Sequence, residues 1–217
     1  MELVVYVSSL GRYAEGRPLI EPLSLPATVE AAQSCLRHIG VDGKRYQEIH
    51  ITEYTSSIPG LSACLSEHEN LDELNYLAGL LLDMEPDELE KFTAAIRHGE
   101  YAGGAWELIN LAQNLDCYEL LPQVKSYLDY GLYLLDDMRD FTLPQEARHY
   151  FDFAEYGECA AINDGGELTP QGYIYHNGSP FTTYYDGKTI PEQYRIFIYP
   201  APPRERKKHH TEKPRVR

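Results

Sequence analysis

Residues 71–96 read LDELNYLAGLLLDMEPDELEKFTAAI. Leu71, Leu74, Leu77, Ala78, Leu81 and Leu82 recur at spacings of three and four. That period predicts an amphipathic helix with one apolar stripe. Pro86 fits the first turn of a second helix, where its missing N–H is an orphan anyway. Glu85 then sits near the cap, Leu89, Phe92, Ala95 and Ile96 face inward, and Gly99 is the natural stop. Residues 105–115 add a further helix with Trp106, Ile109 and Leu111. Residues 61–113 therefore read as a small helical bundle.

Toward the N-terminus, residues 3–8 (LVVYVS) are β-branched and aromatic and predict a strand. Gly11 and Gly16 in the following LGRYAEG permit turn conformations. Thr28 is the candidate cap of a helix with Val29, Ala32, Leu36 and Ile39 on its apolar face, ended by Gly40. Residues 47–52 (QEIHIT) alternate as a second strand does. Pro59-Gly60 punctuates the chain and marks a boundary, so residues 1–60 form a small α+β unit.

Toward the C-terminus, residues 122–138 and 144–156 predict two more helices, each introduced by a proline. An internal echo links LPQVKSYLDYGLYLLDD at 121–137 with LPQEARHYFDFAEYGEC at 143–159. A duplicated helix and a convergence of two amphipathic helices both account for it. Residues 172–175 and 195–199 (RIFIY) predict strands, with NGSP and DGKT as turns. The fold class is thus α+β. A small sheet-plus-helix unit (1–60) precedes an acidic helical unit (61–113) and an α/β unit (114–200). Residues 201–217 complete the chain as a basic tail, expected to be disordered.

Charge is the main anomaly. The chain has 34 Asp and Glu against 19 Lys and Arg, a net −15 over 217 residues. The tail at 204–217 holds seven basic and two acidic residues, which leaves −20 on residues 1–203. Residues 66–158 alone contain 21 acids and five bases. A field of that sign repels nucleic acid and anionic membranes and attracts basic protein surfaces. Acidity can also serve solubility alone. Against that, like-charged i,i+4 pairs such as Glu69/Glu73 and Asp83/Asp87 repel by a few tenths of a kcal/mol each, and a chain that carries many of them can be using the field.

Signatures of catalysis are weak. The chain has no P-loop, GxGxxG, HExxH or GxSxG pattern. Cys35, Cys64, Cys117 and Cys159 are too far apart for a zinc motif or a disulfide framework. Asp136-Asp137 and Glu67-His68-Glu69 cluster in sequence, but adjacent helical side chains diverge. No cofactor and no metal are expected, and His50 reads as a hydrogen-bonded structural histidine. MELVVYVSSLGRY lacks the basic start of a signal peptide and no apolar run reaches the length of a membrane span, so a reduced, cytoplasmic protein is expected.

Carboxylates can imitate a phosphate backbone. Duplex DNA carries roughly one charge per 1.7 Å of axis. Acids on successive helical turns, about 5.4 Å apart, approach that density when several helices lie side by side. The candidate partner-binding surface comprises Glu67, Glu69, Asp72, Glu73, Asp83, Glu85, Asp87, Glu88, Glu90, Asp116, Glu119, Asp129, Asp136, Asp137, Asp140, Asp152, Glu155 and Glu158. A basic DNA-binding groove would meet such a surface as it meets DNA, with steep salt dependence.

The opening VYVSSLGRYAEGRPLIEPLSLP at 5–26, with Leu10, Gly11, Tyr13, Gly16, Leu25 and Pro26, resembles the start of the ArdA antirestriction proteins. IHITEYTSSIPGL at 49–61 is similar to that family's exit from its first domain, and 71–96 is similar to its second. PQEARHYFDFAEYGECA at 144–160 is similar to its late motif through Tyr150, Asp152, Phe153, Tyr156 and Gly157. The likeness covers about residues 4–175. The chain departs from it at Glu158-Cys159, where members usually carry Arg-Asp, and in the segment after Tyr175. The resemblance implies an elongated, curved chain of three small domains that forms a homodimer through the last. It implies a mimic of bent DNA that occupies the groove of a type I restriction–modification methyltransferase/specificity complex. The charge, the weak catalytic signatures and the lack of apolar spans independently lead to the expectation of no catalysis and no direct binding of nucleic acid or membrane. The alternatives are an acidic inhibitor of another DNA-binding system, such as a CRISPR effector or nucleoid protein, and a hydrolase or metal-dependent enzyme.

Overall fold

A computed structural model of the chain describes residues 2–139 and 141–201. Among these the protein is a mixed α/β fold of eight α-helices and two small antiparallel sheets. The predicted basic tail falls at residues outside the described ones, apart from Ala201.

The first sheet has the order β2-β1-β3, from β1 (Leu3–Ser9), β2 (Ile20–Leu25) and β3 (Ile49–Ser56). β1 is central and pairs Val5 with Leu23 on one side and Tyr54 on the other. Leu3, Val5 and Val7 alternate onto one buried face, as period-2 patterning requires. Between β1 and β2 the chain forms a short helix, α1 (Leu10–Ala14), where turns were expected. The Ser9 side chain accepts from the Arg12 N–H and starts it. Gly11 lies inside this helix, against the Tyr46 ring; Gly16, at φ 72°, supplies the turn that follows.

Helix α2 (Val29–Ile39) lies over the sheet. Thr28 caps it by accepting from the Ala31 N–H, and Gly40 ends it in the left-handed conformation at φ 82°. Its spaced apolar residues Ala32, Leu36 and Ile39 are buried. His50 packs edge-on against Tyr13 at 4.8 Å, and its Nδ1 is buried without a partner, so the expected hydrogen-bonded role is not what this nitrogen shows.

A 3-10 turn (Leu61–Cys64) leads into α3 (Leu71–Asp83), α4 (Pro86–His98) and α5 (Ala105–Ala112). Glu85 and Glu88 form a reciprocal capping box at the start of α4, with Pro86 at its first position. Gly99 closes the helix at φ 82°. Leu71, Leu74, Leu77, Ala78 and Leu81 are buried, whereas Leu82 is exposed and Asn75 and Gly79 take part of the inner face. Trp106 lies half outside rather than in the core. Buried side chains of the first sheet and of α3–α5 belong to one hydrophobic core, which runs from Leu3 to Ile196.

The second sheet has the order β4-β6-β5, from β4 (Tyr118–Leu121), β5 (Glu167–Thr169) and β6 (Gly172–His176). α6 (Tyr127–Asp136) and α8 (Phe153–Asp164) pack beside it, over a second core of Val124, Tyr130, Ala161 and Tyr173. Two sequence expectations change here. The helix foreseen at 122–138 begins only at Tyr127, because residues 118–121 pair as β4 and Ser126 caps the helix. The helix foreseen at 144–156 is broken into α7 (Gln145–Arg148) and α8, because the Asp152 side chain accepts from the Ala154 and Glu155 N–H groups and starts a new helix. The internal echo does not make the same structure twice: Asp129 lies within the first turn of α6, whereas Asp152 is itself the cap of α8.

After β6 the chain returns across α5 and α3 without forming a strand. RIFIY, expected as one, is irregular apart from the preceding 3-10 turn (Glu192–Tyr194). Its Ile196 and Phe197 N–H groups donate to the Asp72 carboxylate rather than to a neighbouring strand.

Candidate functional site

The eighteen acids proposed from sequence fall into two groups once their surroundings are known. In the first group the carboxylate has structural work. Glu69 accepts from the Ser66 N–H at 3.0 Å and from the Ala105 N–H at 3.2 Å, which caps α5. Asp72 accepts from the Ile196 and Phe197 N–H groups, both at 2.7 Å. Glu73 accepts from the Tyr185 hydroxyl at 2.7 Å. Burial, and next that carboxylate, pushes the Tyr185 phenol up.

Asp129 accepts from the Ser126 hydroxyl at 2.8 Å and the Lys125 N–H at 3.1 Å; these bonds, the hydroxyl first, hold it below the usual aspartate range. Asp136 is held low by a two-pronged pair with Arg148, at 2.8 and 2.9 Å. Asp152 caps α8.

In the second group are Asp83, Asp87, Glu90, Asp116, Glu119, Asp137, Glu155 and Glu158, all exposed. Among the described residues no Lys or Arg comes within ion-pair distance of them. Glu67 is exposed and faces only the His68 ring at 3.4 Å. Glu85 and Glu88 cap α4 yet stay exposed, so their charge still reaches solvent. Asp140 lies outside the described residues.

Tertiary structure gathers part of this second group. The end of α3, the first turns of α4, a 3-10 turn (Leu115–Cys117) and β4 converge on two clefts that share α4 as a wall. One, of about 360 Å³, is rimmed by Asp83, Glu88 and Asp116 over a floor that includes Leu80 and Leu115. The other, of about 290 Å³, is lined by Asp87, Glu90 and Glu119, with Lys91 as its one base. Six carboxylates separated by up to 36 residues in sequence thus face solvent together. Of these, Asp87 and Glu88 lie in the first turn of α4, where the helix dipole favours negative charge.

Nothing gathered around these clefts resembles a nucleophile–base pair. The four cysteines are unpaired. Burial pushes the Cys35 thiol up to about 12 and raises Cys64 and Cys117 as well, the opposite of what an activated thiolate needs. Among the described residues no three His, Cys, Asp or Glu side chains are arranged to hold a metal ion. No helix among them is long and apolar enough to cross a membrane.

Most of the family-motif residues are engaged in packing or capping, Tyr150 excepted. Gly157 is buried where α8 crosses α6, and a Cβ there would collide with the Tyr127 carbonyl oxygen. Gly131 on α6 is tight in the same way against the Phe153 carbonyl. Two facing glycines let the helix axes approach closely, so the Tyr-Gly pair is a packing requirement. Tyr156 stands among Phe141 and Phe151, with ring centroids 5.5 Å from each. Tyr150 points away, 92% exposed. Leu10, Gly11 and Tyr13 form the short helix against His50 and Tyr46.

Sequence reasoning missed Asn75, Asn110 and Asn114, which are buried and bonded to backbone across the fold. The signal was present: a polar residue inside the apolar stripe of α3, and two Asn four apart around the end of α5.

The fold and this surface define a mixed α/β protein whose most distinctive surface feature is a concentration of unpaired carboxylate. The sequence profile of the antirestriction protein (ArdA) family matches residues 5–175, and the chain belongs to that family. No curated relative matches the chain significantly.

Proposed function

We propose that the protein is an acidic DNA mimic that inhibits type I restriction–modification enzymes. It would occupy the DNA-binding groove of the methyltransferase/specificity complex without chemistry, cofactor or metal, and without binding nucleic acid itself, in the cytoplasm where those enzymes act. The observation that carries this reading is the exposure of six carboxylates around α4, Asp83, Asp87, Glu88, Glu90, Asp116 and Glu119, with Lys91 beside them. Fixed, unpaired carboxylates would present a basic groove with negative charge such as it meets on DNA. A folded mimic built to the required shape also avoids the 1–6 kcal/mol or so needed to bend a duplex site. Membership of an antirestriction family supports the same reading.

The reading includes three units, divided near residues 60 and 113, and a homodimer through the last. A second core of Val124, Tyr130, Ala161 and Tyr173 supports the last unit, whose Tyr118 and Ile174 also enter the first core. Leu128, Met138, Phe141, Tyr150 and Ile162, all exposed and all in that unit, supply apolar surface suited to a second copy.

Competition tests the proposal. Purified protein is expected to displace DNA from the methyltransferase/specificity complex, with affinity falling steeply as salt rises. Unchanged restriction of an unmodified plasmid across several type I families would sink the proposed target.

A further inference from the structure

Residues 177–201 follow β6 and lie beyond the family match, which ends at residue 175. They form no strand, yet their backbone is held at defined points. Asn114 donates from Nδ2 to the Thr182 carbonyl and accepts from the Thr182 N–H, both at 2.8 Å. Asn110 does the same to Tyr185, at 3.1 and 2.9 Å. Asn75 donates to the Tyr194 carbonyl at 3.1 Å, while its Oδ1 accepts from the Ala27 N–H at 2.7 Å. Asp72 accepts from Ile196 and Phe197, as above.

A primary amide carries an acceptor oxygen and two donor N–H groups, so it can pair with both the N–H and the C=O of one residue, as a neighbouring strand would. These three Asn are 1–2% exposed and would be strongly destabilising without partners. The α3–α5 face is therefore built to bind an extended backbone.

Side chains fix the register. Phe181 stacks on Tyr101 at 3.7 Å between centroids. Tyr185, Ile190 and Ile196 are buried in the first core. The Tyr194 ring lies over Gly79 and 4.8 Å from the Tyr76 ring, tilted 31° to it. At the far end the Tyr199 ring covers Gly43, and its hydroxyl donates to the Gln47 carbonyl at 3.2 Å. The segment thus runs from α5 across α3 to the loop after α2. Asn75 binds both the N-terminal unit, at Ala27, and this segment, at Tyr194.

We propose that residues 181–199 are a backbone-bound clamp, seated in a peptide-binding groove of α3 and α5, that locks the first sheet and its α2 loop onto the helices. The occupant is this chain's own segment, held by neutral hydrogen bonds, the Asp72 carboxylate and buried aromatic and aliphatic anchors. The clamp does not depend on what the acidic clefts bind, and its readouts are independent of restriction.

The test uses the whole folded chain. A site for a sequence-specific protease is inserted between Gly178 and Ser179, in an exposed turn where a side chain added at Gly178 would meet nothing within 4 Å. After cutting, the C-terminal piece is expected to co-elute with the body, even in 1 M salt where the Debye length is about 3 Å. Asn110→Ala and Asn114→Ala should each weaken its retention roughly tenfold. Its release should speed amide exchange at Ala27 and at residues 41–47 while leaving the β1 amides protected. In the uncut chain Tyr199→Ala should speed exchange at residues 41–47 alone, an arm that does not depend on the Asn variants folding. Loss of the piece in 1 M salt would show that the basic tail held it and would overturn the clamp. Equal retention by the Asn variants, collapse of the body on cutting, or unchanged exchange after release or in Tyr199→Ala would overturn it as well.

Discussion

Glu69, Asp72 and Glu73 at the start of α3, and Asp83, Asp87 and Glu90 around its end and the start of α4, look alike in sequence. Both groups flank apolar helical stripes, the first on α3 and the second around the α3–α4 junction. Their fates differ. The first three are half-buried and accept from Ser66, Ala105, the 196–197 backbone and Tyr185. The other three are exposed and, among the described residues, have no basic partner. A carboxylate that accepts several buried N–H groups is part of the scaffold; one that faces water contributes field. Net charge counts the two alike, so the surface available to a partner is smaller than the sequence total suggests, and more concentrated.

The largest expected effect comes from neutralising the free group together. Asp83→Asn, Asp87→Asn, Glu88→Gln, Glu90→Gln, Asp116→Asn and Glu119→Gln in one chain should weaken competition with DNA on the order of 100-fold, from six contacts of about 0–1 kcal/mol each. The melting temperature should hold or rise, since like-charge repulsion is relieved and Gln at 88 keeps the cap. An equal loss of competition from a folded Glu69/Asp72/Glu73 triple variant would break the comparison.

Asp72→Ala should do the reverse. It leaves the Ile196 and Phe197 N–H groups unpaired, at a cost of about 1–3 kcal/mol. In a chain of this size each kcal/mol is worth about 2–4 °C in Tm, read by calorimetry. Asp72→Asn, whose amide oxygen still accepts, should recover part of the loss, and competition by the folded variant should be little changed.

Asp136 sharpens the boundary between the groups, because it is exposed yet paired. Arg148 holds its carboxyl below the ordinary aspartate value near 3.8. The pair's contribution is therefore complete above that value and lost as pH falls through the lowered pKa. Melting temperature followed through that acid range should drop less steeply in Asp136→Asn than in the parent.

The smallest effect is expected from one free acid. Glu90→Gln should change competition by no more than a few fold. A single such substitution that abolished activity would point to an active site instead of a distributed charged surface.

Several elements were legible from local chemistry. The strand at Leu3–Ser9, the Thr28 and Gly40 ends of α2, the Glu85-Pro86 start of α4 and its Gly99 stop all follow from residues within a turn or two of each other. Misreadings occurred where a distant partner overrode local propensity. RIFIY has strand composition, but its Ile196 and Phe197 N–H groups go to a carboxylate 124 and 125 residues away. The 144–156 helix pattern ignores that Asp152 is better placed as a cap than as a helical residue. That acids concentrate on these helices was readable; the division into scaffold and free carboxylates was not.

The sequence by itself determined the α+β class, the main helices and their ends, the negative field and the family, because periodicity, capping and charge act over a few residues or add without regard to place. Tertiary structure decided which carboxylates stay free, that α3, α4, the 3-10 turn and β4 bring six of them around two clefts, and that three buried Asn seize the returning chain. Those outcomes depend on donors and acceptors brought together from across the chain, and a buried polar group must find its partner wherever the fold places one.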